Sequence, residues 1–168
     1  MSSSFLRALL DEHASLDALF LEHQALLVEG RPAAARRILL DFQASLGGHM
    51  RGEEEVILPF YEAHCPVPKG GAARFFHREH DRLRRLVDES AAWLSAWEGL
   101  AWPSREVVFL VERQKVFKEV MEHQDERERH FLYPLVEACS NDTSRAELMG
   151  RFRTAAAGSR SRLARIHR

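Results

Sequence analysis

The feature that most constrains this chain is a set of histidines and carboxylates lying on helical seams where apolar side chains would be expected. Apolar residues recurring at three- and four-residue steps mark the buried face of a helix. One such seam reads Leu6, Leu9, His13, Leu16, Phe20, His23, Leu27, and a second reads Leu39, Phe42, Leu46, His49, Glu53, Val56, Phe60. A third runs through Ala73, Phe76, His80, Leu83, Val87 and Leu94, and a fourth through Val107, Leu110, Gln114, Phe117, Met121, Gln124, Glu128, Phe131 and Leu135. Burying an ionisable group is unfavourable unless it is paired or bound to metal. A bound metal would remove that cost, and for any single seam histidine a hydrogen-bonded place in the core or at its boundary is the alternative.

Breakers separate the four seams. Gly30 and Pro32 lie between the first two, the run Cys-Pro-Val-Pro-Lys-Gly-Gly from Cys65 precedes the third, and Gly99 and Pro103 bracket the connection to the fourth. The pattern predicts helices over 4–29, from Pro32 to about 64, from 73 to about 98, and from beyond Pro103 to about 140. Ser144, with Glu147 three residues on, reads as a capping box that opens a short terminal helix. Long helices with short connections predict an all-α fold, an up-down-up-down antiparallel four-helix bundle. Residues 1–140 form that bundle, and 141–168 a short basic helix or tail of the same domain. Pro59 and Pro134, late in the second and fourth helices, are expected to kink them. The same two helices echo each other: Glu53-x-x-Val-x-Leu-Pro-Phe-x-Glu-Ala returns 75 residues later as Glu128-x-x-Phe-x-Tyr-Pro-Leu-x-Glu-Ala.

A chain of 168 residues can bury a core without disulfide staples, and 45% hydrophobic with 29% charged residues fits a soluble globular domain. The formal net charge of -1 gives no reason to expect nucleic acid. Between Arg145 and Arg168 seven arginines face the single acid Glu147, which reads as an exposed basic helix end. The start, MSSSFLRALLDEH, has no long apolar run and no small-residue cleavage site, so a cytoplasmic protein without membrane attachment is expected. Cys65 and Cys139 are then expected to be free thiols.

Whether the polar seam residues converge follows from counting. In antiparallel helices, residues equally far from a shared connection lie at similar height. His13 and His49 are each 18 residues from residue 31; Glu53 is 14 before residue 67 and His80 is 13 after it, with His77 10 after. His80 is 21 before residue 101 and His123 is 22 after, with Glu128 further on. One histidine from each helix and two glutamates thus reach mid-bundle height. His23, His64, His130 and His167 fall outside this belt. Imidazole nitrogen and carboxylate oxygen without cysteine suit iron, manganese or zinc. His49 and Glu53, at i and i+4, are about 40° apart on one helical face. His123 and Glu128, at i and i+5, are about 140° apart, so they must approach the centre from opposite flanks or through a local helix distortion. Glu119 and Glu126 share a face with His123 and are alternative partners, and His77 is one turn from His80.

Four motifs in order carry a family resemblance: Asp11-Glu12-His13; His49-Met-Arg-Gly-Glu53 through Pro59; His77-Arg-Glu-His80; and His123-Gln-Asp-Glu-Arg-Glu128 through Pro134. Over most of residues 4–140 the chain resembles the hemerythrin-like, HHE cation-binding domains. The resemblance implies an oxo- or hydroxo-bridged di-iron centre of two Fe ions. His13, His49, His77, His80 and His123 would be terminal ligands and Glu53 and Glu128 bridges. Two departures stand out: hemerythrins proper space the third-helix histidines by four residues, and their fourth-helix carboxylate is usually aspartate. By the same analogy the small ligand is dioxygen or nitric oxide, bound for storage, delivery or sensing. The alternatives are a di-iron oxidoreductase acting on peroxide or nitric oxide, an iron donor for iron-sulfur repair, and a metal-free or zinc-bound interaction bundle. A catalytic cycle would require a separate electron-donor protein, since no flavin, nicotinamide or thiolate-cluster motif is present.

Overall fold

The computed structural model of the protein describes residues 4–97 and 104–166. They form five helical rods, with no strand among the described residues. Helix α1 is Ser4–Val28. Helix α2 runs Pro32–Gly52 and continues through a π-helical turn, Glu53–Ile57, into Leu58–His64. Helix α3 is Ala73–Ala96. Helix α4 runs Ser104–Arg127, through a second π-helical turn, Glu128–Leu132, into Tyr133–Ala138, and α5 is Asp142–Ile166. Gly99 and Pro103 lie outside the described residues, as does His167. No helix of the described residues is long and apolar enough to cross a membrane.

The helix ends follow from local chemistry. Gly30 takes φ 72°, a left-handed conformation that glycine adopts without a side-chain penalty. There the Gly30 N–H bonds Leu27 O and the Arg31 N–H bonds Leu26 O, closing α1 in a Schellman turn. Pro32 opens α2 in the first turn, where its missing N–H is not needed. The expected kinks at Pro59 and Pro134 take a specific form, a widened turn just upstream of each proline. Within these turns the Leu58 N–H reaches Glu53 O and the Tyr133 N–H reaches Glu128 O.

Packing closes a ring: α1 against α2, α2 against α3, α3 against α4, and α4 back on α1. The core splits into two apolar clusters. One gathers Phe20, Leu39, Phe42, Leu83, Leu110 and Phe117, and the other Leu9, Ile57, Tyr61, Phe76, Leu132 and Phe152. Between them runs a belt of buried polar residues, His13, His49, Glu53, His80, Gln124 and Glu128.

The C-terminal helix departs from expectation. It is 25 residues long and lies along α2. Its start is a capping box shifted by three residues: the Ser144 N–H bonds Asn141 Oδ1 at 2.9 Å, and the Asn141 N–H bonds Ser144 Oγ at 3.0 Å. Close approach is possible because α2 offers glycines. A Cβ on Gly48 would stand 2.8 Å from Ala156 O, and one on Gly52 would stand 2.5 Å from the Phe152 ring.

Candidate metal centre

Each of the four ring helices contributes to the belt. Helix α1 brings His13, α2 brings His49 and Glu53, α3 brings His80, and α4 brings Gln124, Glu128 and Tyr133. One donor atom from each of His13, His49, Glu53 and Glu128 lies within 4.8 Å of every other. His13 Nε2 is 2.9 Å from His49 Nε2 and 3.2 Å from Glu128 Oε2. Glu53 Oε2 lies 3.5 Å from His49 Nε2 and 3.2 Å from His80 Nε2, and Glu128 Oε1 is 3.7 Å from His80 Nε2. The two carboxylates therefore stand between a His13–His49 pair on one side and His80 on the other. At the centre, Tyr133 Oη donates to Glu53 Oε1 at 2.7 Å and lies 3.0 Å from His13 Nε2.

The outward nitrogen of each imidazole meets a carboxylate. His13 Nδ1 bonds Asp125, His49 Nδ1 faces Glu12 Oε2 at 3.4 Å, and His80 Nδ1 bonds Glu54 Oε1 at 2.8 Å. Arg84 in turn holds Glu54 through a 2.7 Å bond. With Nδ1 so engaged, Nε2 is the atom each ring presents to the centre, the orientation that carboxylate partners impose on metal-binding histidines.

The electrostatics follow from two buried carboxylates. Burial would lower the pKa of His13, but bonds to Asp125 and Glu128 outweigh it and raise it to about 10. Burial also opposes protonation of His80, whose pKa is nevertheless raised by Glu128, Glu53 and Glu54. Burial would raise Glu128, but His13 and His80 hold its carboxyl well below the usual range. Glu54, likewise against burial, is lowered to about 2 by His80 and Arg84. Burial first, then the charges of Glu128 and Glu53, push the Tyr133 phenol well above its ordinary value. The field that draws protons onto these imidazoles is the field a cation at the centre would experience.

The donor set fits a transition-metal cation, being imidazole nitrogen and carboxylate oxygen with no thiolate. Among the described residues, Glu53 Oε2 and His80 Nε2 are buried without a hydrogen-bond partner. They lie 3.2 Å apart yet off the hydrogen-bonding line, so neither satisfies the other. Buried polar atoms left in this state are rare and call for a further group, such as an ion.

Of the seven residues expected from sequence, five come together: His13, His49, Glu53, His80 and Glu128. The other two lie on the outside. His77 has a side chain 48% exposed, with Nδ1 3.9 Å from Glu54 Oε1. Its neighbour Phe76 holds the buried face of α3, one residue or 100° around the helix. His123 is 63% exposed, near Arg127 and Glu79. Counting along the helices fixed its height but not its azimuth. A helix distortion is present, but it begins at Glu128 and cannot rotate His123, which precedes it. Glu119 and Glu126 are exposed as well. His23 is buried away from the belt, bonded to Ala35 O and Gln114.

Gln124 occupies the position on α4 that His49 holds on α2, and its Nε2 donates to Glu128 Oε1 at 2.6 Å. The 75-residue echo, carried back one turn from Glu53 and Glu128, pairs His49 with Gln124, and that was the available signal. Tyr133 lies inside the echo opposite Leu58, where a phenol replaces an aliphatic side chain. The outer carboxylates of Asp125, Glu12 and Glu54 gave no signal beyond adjacency to seam residues.

A cavity of about 50 Å³ adjoins the centre, bounded by His13, His49 and Glu128, by the apolar Leu16, Leu46, Leu83 and Met121, and by the carboxylates of Asp17, Glu122 and Asp125. About 10–15 Å³ of such volume holds one water, so the space has room for a small ligand beside the carboxylates. Compared with known families, the chain matches the Hemerythrin HHE cation binding domain over residues 4–136. Comparison with curated proteins found no match, and neither did comparison with solved structures.

Proposed function

The chain belongs to the hemerythrin family of HHE cation-binding domains, and from that membership we propose that its buried belt holds a pair of iron ions where dioxygen or nitric oxide binds for storage, delivery or sensing. The observation that carries the reading is the convergence of three buried imidazoles on two buried carboxylates, each imidazole backed by a further carboxylate. His13, His49, His80, Glu53 and Glu128 are the residues that would hold the ions, the two carboxylates standing between the His13–His49 pair and His80. His77 and His123 take no part. The helices carrying these residues run up-down-up-down in this reading, with α5 as an addition beyond the family region. A cytoplasmic setting belongs to it too, in keeping with two cysteines present as free thiols.

Iron would supply open coordination positions and one-electron redox steps that no side chain here supplies. The chain's own residues do the rest. Asp125, Glu12 and Glu54 fix the imidazole planes so that Nε2 faces inward. The Tyr133 O–H holds the Glu53 carboxylate in place. Leu16, Leu46, Leu83 and Met121 give the small cavity an apolar wall beside the carboxylates of Asp17, Glu122, Asp125 and Glu128.

Anaerobic reconstitution with ferrous iron followed by elemental analysis tests the assignment. The E53Q/E128Q chain is expected to retain roughly a tenth of wild-type iron or less, since losing even an outer partner of a metal ligand costs about 10–100-fold in affinity. H77A and H123A are expected to match wild type. Full iron retention in E53Q/E128Q, or loss in H77A and H123A, contradicts the reading.

A further inference from the structure

Away from the metal centre, the two cysteines of the chain occupy corresponding places. Cys65 is the residue that closes α2, its N–H bonded to Tyr61 O, and Cys139 closes α4, its N–H bonded to Leu135 O. The segments that end there, Leu58–His64 and Tyr133–Ala138, pack against each other. The Cys65 thiol donates to Leu135 O at 3.5 Å, the same carbonyl that receives the Cys139 N–H. One backbone oxygen thus gathers both cysteines, and both are partly exposed free thiols.

We propose that Cys65 and Cys139 are a peroxide-responsive thiol pair that closes to an intramolecular disulfide joining the ends of α2 and α4. Cys139 attacks first, because the Cys65 thiol hydrogen is engaged by Leu135 O. The Cys139 sulfur displaces one peroxide oxygen: an S–O bond forms, the O–O bond breaks, and water leaves once the hydroxide takes a proton. The Cys65 sulfur then attacks the sulfenic sulfur, forming the S–S bond and releasing the second water. Two thiols lose two electrons in all, and hydrogen peroxide gains them. Burial, and the Cys139 thiol beside it, push the Cys65 thiol up to about 12, which keeps Cys65 from being the sulfur that meets peroxide first.

The test uses the full chain, reduced, desalted and treated with one equivalent of hydrogen peroxide, then alkylated and analysed by intact mass and peptide mapping. Both thiols should be lost together, leaving a chain about 2 Da lighter whose Cys65 and Cys139 peptides are joined and are separated again by a thiol reductant. C65S should accumulate a sulfenic acid on Cys139 that a 1,3-dione traps. E53Q/E128Q should cross-link as wild type does, which separates this proposal from the metal reading. Two thiols still alkylated in the wild type, oxygen adducts without a cross-link, or a disulfide between chains would overturn it.

Discussion

His13 and His23 lie on the same face of α1, both buried, and their surroundings give them opposite chemistry. His13 faces carboxylates on both nitrogens. His23 donates Nδ1–H to Ala35 O and accepts from Gln114 at Nε2, while Gln24 donates to Gln114. Every partner of His23 is neutral, so burial lowers its pKa, with the Ala35 bond opposing only in part. A histidine kept neutral in the fold stabilises it above the unfolded-state pKa of about 6.5, and the contribution fades as pH falls below that value toward the lower folded pKa. Urea unfolding of wild type and H23Q over pH should show the wild-type advantage shrinking on acidification; an advantage that grows as pH falls would mean that His23 is charged in the fold. Tyr133 makes the second residue-scale prediction. Y133F leaves the buried Glu53 carboxylate without its phenol donor, so it should lower the stability of metal-free protein by about 1–3 kcal/mol in urea melts. An unchanged midpoint would show that the bond to Glu53 is not made. Sequence patterns could place His13, His49, Glu53, His80 and Glu128 because each lies on an apolar seam. They could not place Tyr133, because the seam through Glu128, Phe131 and Leu135 passes it by; past the π turn Leu132, Tyr133 and Val136 are the buried residues and Phe131 is exposed.

Among the elements, α2 and α4 are built alike. Each runs as an α-helix up to a carboxylate, widens into a π turn, and resumes in an α-helical segment whose second residue is a proline. The wide turn takes up the backbone disruption that a proline causes within a helix and leaves Glu53 and Glu128 in the core. The repeat, the prolines and the carboxylates were legible; the π turn was not, because periodicity over one turn does not separate 3.6 from wider spacing. The length of α5 was hidden for another reason. Its apolar stripe of Leu148, Phe152 and Ala156 is narrow, and the feature that accommodates it is on α2, where Gly48 and Gly52 sit inside a helix. Such glycines each cost about 1 kcal/mol relative to alanine unless close packing requires them. G52A would drive a methyl into the fully buried Phe152 ring and should destabilise by about 1–3 kcal/mol. Combined with F152A, the loss should fall short of the sum of the two single losses, because the ring that obstructs the methyl is gone. Strict additivity in urea denaturation would contradict the contact.

At the scale of the molecule, the fold places a polar belt between two apolar clusters and leaves it to be neutralised from within. Charged groups enclosed this way are stable only when paired, hydrogen-bonded or bound to an ion. The outer carboxylates and Tyr133 satisfy part of that requirement, while Glu53 Oε2, His80 Nε2 and Gln124 Oε1 stay without a hydrogen-bond partner. Helix heights counted from the connections put His13, His49, Glu53 and His80 at one level. They said nothing of which way a side chain turns, and so included His77 and His123, which the helices direct outward. The central claim, that this belt holds redox-active iron open to a diatomic ligand, is tested most directly by purifying the protein without chelator. Iron is then measured per chain, and the visible spectrum followed through anaerobic reduction and exposure to air. The account predicts a pair of irons and a charge-transfer band that bleaches on reduction and returns with oxygen; a chain that takes up no iron under anaerobic loading, or whose metal is indifferent to reductant and oxygen, would contradict it.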